Sequence, residues 1–112
     1  MFSYTLAVTF DDAAVAAQWI AWLRDEHLAE VCAAGAVDAE IIRFDVAAGH
    51  KPRYEVRYHF QSREAFARYE RDHAPRLRAD GLKRFPPERG VKYERSTGEV
   101  ALIAPSTADS AG

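Results

Sequence analysis

The sequence predicts one α+β domain with the element order β-α-β-β-α-β. Three observations predict it: a strictly alternating apolar segment at the start, two long segments with helical periodicity, and two β-rich segments between them. The chain has 112 residues, of which 48% are apolar or aromatic, enough to build one compact core. We expect a single domain over residues 1–103, followed by a small, polar tail over residues 104–112.

The first strand and the first helix follow each other directly. In FSYTLAVTF, Phe2 to Phe10, apolar and polar residues alternate, which predicts a half-buried strand. Asp11 and Asp12 provide N-cap chemistry before a run without Gly or Pro that continues to Ala34. Gly35 ends this run, so a long helix is predicted between the two signals.

The middle of the chain predicts a hairpin and then a second helix. Two β-rich segments, Val37 to Val46 and Arg53 to Phe60, surround the turn-like GHKP at Gly49 to Pro52. Ser62 provides an N-cap for REAFARYERDHA, and Pro75 is expected to end or kink that helix. The segment PRLRADGLKRF then adds one or two helical turns, with Pro at its start.

The end of the chain completes the pattern. PPERG predicts a loop, VKYERST predicts the last strand, and EVALIA a short extension. The element order is the split βαβ, or ferredoxin-like, unit: a four-stranded antiparallel sheet with both helices on one face. The other face would carry small and charged side chains, namely Ser3, Thr5, Ala7, Thr9, Arg53, Glu55, Arg57 and His59. Such a face either remains solvated or packs against a second copy, and the pattern leaves both open.

Composition argues against several partners. The 15 basic and 17 acidic residues lack the positive charge expected of a nucleic-acid-binding protein. RNA recognition on this fold needs aromatic residues on the open face of the third strand, whereas Tyr54 and Tyr58 fall on the opposite face.

No apolar segment approaches the roughly 18 residues of a membrane span. The single cysteine, Cys32, suits a reducing compartment. With no secretory leader pattern at the N-terminus, we expect a cytoplasmic protein.

Two histidines are the candidate catalytic residues. At about 100° per residue, His27 falls on the apolar stripe of the first helix with Leu23, and His73 on that of the second helix with Tyr69. Because both helices cover the same sheet face, we expect the two rings in one helix–sheet layer. A neutral imidazole in a partly apolar pocket suits proton transfer near neutral pH. The alternative is that both are core histidines with hydrogen-bond partners.

Four further residues are candidates for ligand binding. Tyr58 or Arg78 would stabilise an anion left by proton removal; the alternatives are core packing for Tyr58 and a solvated helix charge for Arg78. Tyr69 shares the stripe of His73, and Trp22 lies further round its helix, where it caps the edge of the core or meets a partner chain. We expect no metal site, because H-E-x-x-H is absent and no third ligand joins the histidines at helical spacing. The glycines are scattered, so no phosphate loop is predicted, and no cofactor is expected.

Two blocks, WIAWLRDEHLAEV and YERDHAPRLRADGLKRF, carry a resemblance. They fit W-x-x-W-L-x-x-x-H-L-x-x-V and Y-x-x-x-H-A-P-x-L-R-x-x-G-L-x-R-F, and the chain resembles a small bacterial family known only as a domain of unknown function. The matching positions are Trp19, Trp22, His27, Val31, Tyr69, His73, Pro75, Leu77, Arg78 and Phe85. The resemblance implies a dimeric α+β barrel, in which two ferredoxin-like sheets pack face to face. That class includes antibiotic-biosynthesis-type monooxygenases, haem-degrading enzymes, isomerases and stress-responsive barrels, so the fold implies no reaction.

Three functional hypotheses follow. The first is a homodimer that binds a small aromatic or polyketide-like molecule between helices and sheet, with His27 and His73 lining the pocket. One histidine would remove a proton from an acidic phenol or enol, as in a cofactor-free monooxygenase. The second is a structural or regulatory dimer without a ligand, in which both histidines only pack. The third is haem binding through His27 or His73.

Overall fold

The computed structural model describes residues 1–105, so most of the predicted tail lies outside the described residues. The elements are β1 (Phe2–Phe10), α1 (Ala13–Trp22), a π-helical turn (Leu23–His27), α2 (Leu28–Ala33), β2 (Asp38–Arg43), β3 (Arg53–Phe60), α3 (Arg63–Asp72), α4 (Ala74–Arg84), a 3-10 turn (Pro87–Arg89) and β4 (Val91–Glu99). None of these helices is long and apolar enough to cross a membrane.

The four strands form one antiparallel sheet in the order β2-β3-β1-β4. Tyr4 in the first strand lies opposite Tyr58 in β3 and Thr97 in β4. The N-terminal strand β1 is therefore central in the sheet, and the C-terminal strand β4 forms the edge beside it. The sequence-based prediction of an α+β ferredoxin-like fold is confirmed. The hairpin is shorter than expected: its ladder ends at Arg43 rather than Val46, and residues 44–52 connect β2 to β3.

The first helix begins and ends where the caps predict. The Asp12 carboxylate accepts a hydrogen bond from the backbone N–H of Ala14 at 2.8 Å, and Gly35 follows the helix with φ at 134°. Between the caps, the N–H of Leu28 donates to the carbonyl of Leu23, a bond across five residues rather than four. The helix therefore contains one extra residue in a single turn, which changes the direction of the side chains around it.

The second helical segment is divided at Pro75, as predicted. The Ser62 hydroxyl caps α3 by accepting from the N–H of Ala65 at 3.1 Å. The helix ends at Asp72, and His73 takes the non-helical angles φ −129° and ψ −37° before α4 begins. Leu77 is nevertheless fully buried, so the break does not remove α4 from the core.

One face of the sheet is left uncovered by the described helices. Its centre carries the small residues of β1, with Ser3 opposite Gly98 and Thr5 opposite Ser96 on β4. Charged residues lie on both sides of this centre. Toward the β2 edge, Arg57 pairs with Glu55 and Glu40 and His59 Nδ1 is hydrogen-bonded to Asp38; on β4, Lys92 pairs with Glu94. The face thus has a small, neutral centre and a rim of ion pairs.

Gly90 offers a test of the turn that leads into β4. Its φ is +78°, and a Cβ added there would lie 2.7 Å from Asp11 Oδ2, while its carbonyl accepts from the N–H of Asp11 at 2.9 Å. We expect Gly90→Ala to lower the free energy of unfolding by at least about 1 kcal/mol more than Gly49→Ala. Gly49 has the same left-handed conformation, with φ +83°, but no atom within 4 Å of the added Cβ. Urea denaturation of both variants measures the difference, and equal losses would show that the contact with Asp11 relaxes.

Candidate functional site

A cavity of about 50 Å³ lies between the helices and the sheet. Six aromatic residues line it: Tyr4, Trp19, Trp22, Tyr58, Tyr69 and Tyr93. The other polar lining residues are His27, Arg78 and Arg95. The cavity opens toward solvent on the side of Leu82, which is 44% exposed, and of Arg95. Five of the six residues singled out from the sequence therefore meet around one cavity.

The π-helical turn places Trp22 against His27. Their rings stack with centroids 4.4 Å apart and planes 22° apart. The two residues are five positions apart, the same spacing as the hydrogen bond from Leu28 to Leu23, so the π turn aligns them. Trp22 is only 8% exposed and packs in the core, with its ring also 5.6 Å from that of Phe85. Of the two positions expected for Trp22, the structure shows the one at the core. Its stacking on His27 was not expected, because the sequence-based argument assumed a regular α-helix throughout.

His27 is a neutral group in this setting. Burial lowers the pKa of its imidazole to about 4, and the nearby charge of Asp80 only partly opposes that effect. At pH 7 the ring is therefore uncharged, and it can donate or accept a hydrogen bond at the cavity wall.

The tyrosines and arginines form the sheet side of the cavity. The rings of Tyr4 and Tyr58 stack across the β1–β3 ladder at 5.7 Å. Arg95 Nε donates to the Tyr4 hydroxyl at 3.0 Å, and the Arg78 guanidinium lies 5.7 Å from the centre of the Tyr4 ring. Burial raises the pKa of Tyr58 well above its ordinary value and that of Tyr69 to about 12. These phenols therefore stay protonated at neutral pH.

Three nitrogens in residues that line the cavity are buried and have no hydrogen-bond partner within residues 1–105. They are Trp22 Nε1, His27 Nδ1 and Arg78 Nε. The other end of the Arg78 guanidinium is held, since Nη2 donates to Glu70 Oε1 at 2.6 Å. Buried polar groups without partners are uncommon in folded proteins, because each retains the cost of its lost hydration.

His73 does not reach the cavity. It lies on a separate surface depression with Ser62, Arg68 and Asp72, so the expectation that His27 and His73 line one pocket is wrong. The reason is local: helical periodicity stops at Asp72, and His73 has the non-helical angles of the junction before α4. Extrapolating 100° per residue onto His73 therefore gave it the wrong direction.

No group of three or more His, Cys, Asp or Glu side chains within residues 1–105 is arranged to hold a metal ion.

Residues 1–96 match the model of a family described as a domain of unknown function, DUF4286. The chain belongs to the DUF4286 family. A family of unknown function is what the two sequence blocks predicted. No curated protein matches this DUF4286 chain.

Solved structures similar to the DUF4286 chain share its fold. A dimeric ferredoxin-like protein from an uncultured marine organism aligns with a TM-score of 0.71 and 17% identity, covering 95% of this chain and 100% of its own. HapK from Hahella chejuensis aligns at 0.64 with 20% identity, covering 96% and 99%. A Deinococcus radiodurans protein, provisionally named an antibiotic biosynthesis monooxygenase, aligns at 0.65 with 13% identity, covering 96% and 100%. At these identities the likeness establishes the fold.

Three residues that bring a hydroxyl or guanidinium group to the cavity of the DUF4286 chain were absent from the site candidates chosen from the sequence. They are Tyr4, Tyr93 and Arg95. Alternation in β4 places Tyr93 and Arg95 on the same face, opposite Val8 and Leu6 of β1. Arg95 could have been identified from the sequence, because the two-residue alternation of β4 places this charged side chain on the same face as the core-facing residues of the strand.

Proposed function

We propose that this DUF4286 domain forms a homodimer that binds a small aromatic or polyketide-like molecule in the helix–sheet cavity. The observation that supports the proposal is the cavity itself, in which aromatic rings surround a small number of polar groups and one side opens toward solvent. Binding sites for small organic molecules commonly combine an apolar wall with a few orienting polar groups.

The size of the cavity limits how a ligand enters. About 50 Å³ accommodates only a few water-sized groups, at roughly 10–15 Å³ each. A ring therefore lies partly at the mouth, where the exposed side chains of Leu82 and Arg95 can move aside. A porphyrin is far too large for this volume, so the cavity does not support haem ligation by His27.

Proton transfer by His27 is restricted to acidic ligands. With its pKa lowered to about 4, the imidazole takes a proton from an ordinary phenol, of pKa about 10, only against roughly 8 kcal/mol. We propose catalysis only for phenols or enols that are much more acidic, or whose anion is stabilised by Arg78. Ligand binding is the primary proposal, and cofactor-free oxygenation of such an anion is its catalytic extension.

Binding in the cavity can be followed through the tryptophans. The chain has two, Trp19 and Trp22, and both line the cavity. Titration of ¹⁵N-labelled protein with phenol should shift the indole N–H signal of Trp22 in a saturable manner. Gly81→Leu should abolish this shift, because a Cβ at Gly81 already lies 3.4 Å from the Trp22 ring and a larger side chain fills the cavity.

Ala79→Leu is the matched control for this titration, because Ala79 lies on the same helix but is exposed. It should bind phenol as the wild type does. If phenol leaves both indole signals unchanged, or if Gly81→Leu binds it normally, the cavity is not the ligand site.

The uncovered sheet face supports the homodimer. Its centre consists of small residues, which permit close approach of a second sheet, and the similar marine protein is described as dimeric. Ala7→Arg should convert the protein from twice its chain mass of 12.6 kDa to a monomer, as measured by light scattering. Ala7 lies opposite Glu55 and Glu94, so the new arginine finds ion-pair partners and the monomer remains folded.

Ala29→Arg serves as the control for dimerisation, because Ala29 is exposed on the helical side of the domain. It should leave the mass unchanged. A wild-type monomer, or an Ala7→Arg variant that keeps the dimer mass, would contradict assembly through the open sheet face.

A further inference from the structure

We infer that the cavity recognises an oxyanion, a carboxylate or phenolate oxygen, through the nitrogens of Trp22, His27 and Arg78. The inference rests on the proposed ligand-binding function and adds the chemical class of the ligand's polar group. The donor character of the unpartnered atoms, the positive charge of the lining arginines and the small volume of the cavity support it.

The unpartnered nitrogens are hydrogen-bond donors and therefore require hydrogen-bond acceptors. An indole N–H and a guanidinium Nε–H can only donate hydrogen bonds, and a neutral imidazole can donate through Nδ1 in one of its tautomers. Trp22 Nε1 and Arg78 Nε are buried without a partner in the described chain, as is His27 Nδ1. Trp22 is only 8% exposed, so water outside the cavity cannot serve its N–H. A ligand group with acceptor oxygens provides the hydrogen-bond partners that these atoms lack.

The charge on the wall is positive. The lining includes two arginines, Arg78 and Arg95, and none of the described residues that line it is Asp or Glu. Glu70 neutralises part of Arg78, but its contact is with Nη2 and leaves Nε free of a partner. Arg95 stands at the open side, where it would meet an incoming anion first.

The enclosed volume suits a head group rather than a whole molecule. A space of about 50 Å³ holds a few non-hydrogen atoms, which matches a carboxylate or a phenolate oxygen with the first ring carbons. The remainder of the ligand then extends past Leu82. The apolar and aromatic wall keeps the anion away from bulk water, which strengthens its hydrogen bonds to charged donors.

Three probes of one shape test the charge requirement. Benzoate, benzamide and toluene are titrated separately into ¹⁵N-labelled protein, with the Trp22 indole N–H signal as the readout. We expect benzoate to bind at least ten times more tightly than benzamide, and toluene to bind no better than benzamide. Trp22→Phe, which keeps an aromatic ring but removes the donor, should weaken benzoate binding at least threefold, as measured by calorimetry.

The role of Arg78 is tested with two variants, one of which also removes the charge of its partner Glu70. Arg78→Met leaves the half-buried Glu70 without its partner, so the double variant Glu70→Gln with Arg78→Met is measured beside it. Both should lose at least tenfold in benzoate affinity and keep the affinity for benzamide. Arg76→Met is the matched control, because Arg76 lies on the same helix but contacts the exposed Glu30.

The outcomes separate the two proposals. If benzamide or toluene binds as tightly as benzoate, the oxyanion inference is overturned and the ligand cavity stands. If benzoate binds equally well to the Arg78 variants and to wild type, the contact is adventitious and the inference is also overturned. If no probe, including phenol, changes the indole signals, both the inference and the proposed function fail.

Discussion

Acidification from pH 7 to pH 4.5 should destabilise the wild-type protein by about 2 kcal/mol more than it destabilises His27→Gln. The reason is the lowered pKa of His27, about 4 in the folded protein against an ordinary value of 6.5. In this pH range the unfolded chain takes up a proton at residue 27 that the folded protein does not. The unfolded state binds more protons, so stability falls as pH falls between about 6.5 and 4.

Urea denaturation at the two pH values measures this difference. Gln is polar, of similar size and uncharged throughout, so the other titrating groups contribute equally to both proteins and cancel on subtraction. Identical pH dependence in the wild type and His27→Gln would show that the imidazole is solvated rather than buried.

Trp22→Ala should lower the free energy of unfolding by about 3–5 kcal/mol, the range for truncating a large buried aromatic side chain. The ring stacks on His27, packs on Phe85 and covers Gly81, so its removal leaves a large void in the helix layer. Trp22→Phe should lose less than half as much, since a ring remains and a buried donor without a partner is removed with it.

Both variants are compared by urea denaturation at pH 7, where His27 is neutral in the folded protein. A loss of less than about 1 kcal/mol for Trp22→Ala would mean that the ring lies on the surface rather than in the core. That result would also place the Trp22 donor outside the cavity and remove one support of the oxyanion inference.

Local signals in the sequence predicted most of the fold. The alternation from Phe2 to Phe10, the caps at Asp12 and Ser62 and the break at Pro75 each appear in the structure, because each depends on a few neighbouring residues. The extent of β2 was overestimated. The strand ends at Arg43, the last residue that pairs with β3, opposite Tyr54. The amino-acid composition of β2 alone does not specify where this pairing stops.

The candidate site was predicted less completely. Tyr58 and Tyr69 line the cavity because β3 and α3 keep a regular periodicity up to those positions. His27, at the end of the π turn, and Arg78, beyond the break at Pro75, line it as well. The stacking of Trp22 on His27 and the direction of His73 were missed where the helix departs from 100° per residue, once at a π turn and once at a proline break. The contact of Tyr4 with Arg95 joins residues from the two ends of the domain. It depends on the pairing of β1 with β4, for which no local pattern carries information.

The π-helical turn also bears on how related sequences should be compared. One extra residue in a helical turn makes a Trp-x-x-x-x-His spacing behave as Trp-x-x-x-His does in a regular α-helix, where residues four apart share a face. A relative that is one residue shorter between the positions of Trp22 and Leu28 can therefore build the same stacked pair without a π turn. When such a relative is aligned with this chain, a gap of one residue belongs at the exposed positions Arg24 to Glu26. The gap keeps the two histidines aligned, whereas an alignment without it pairs His27 with the residue that follows the relative's histidine.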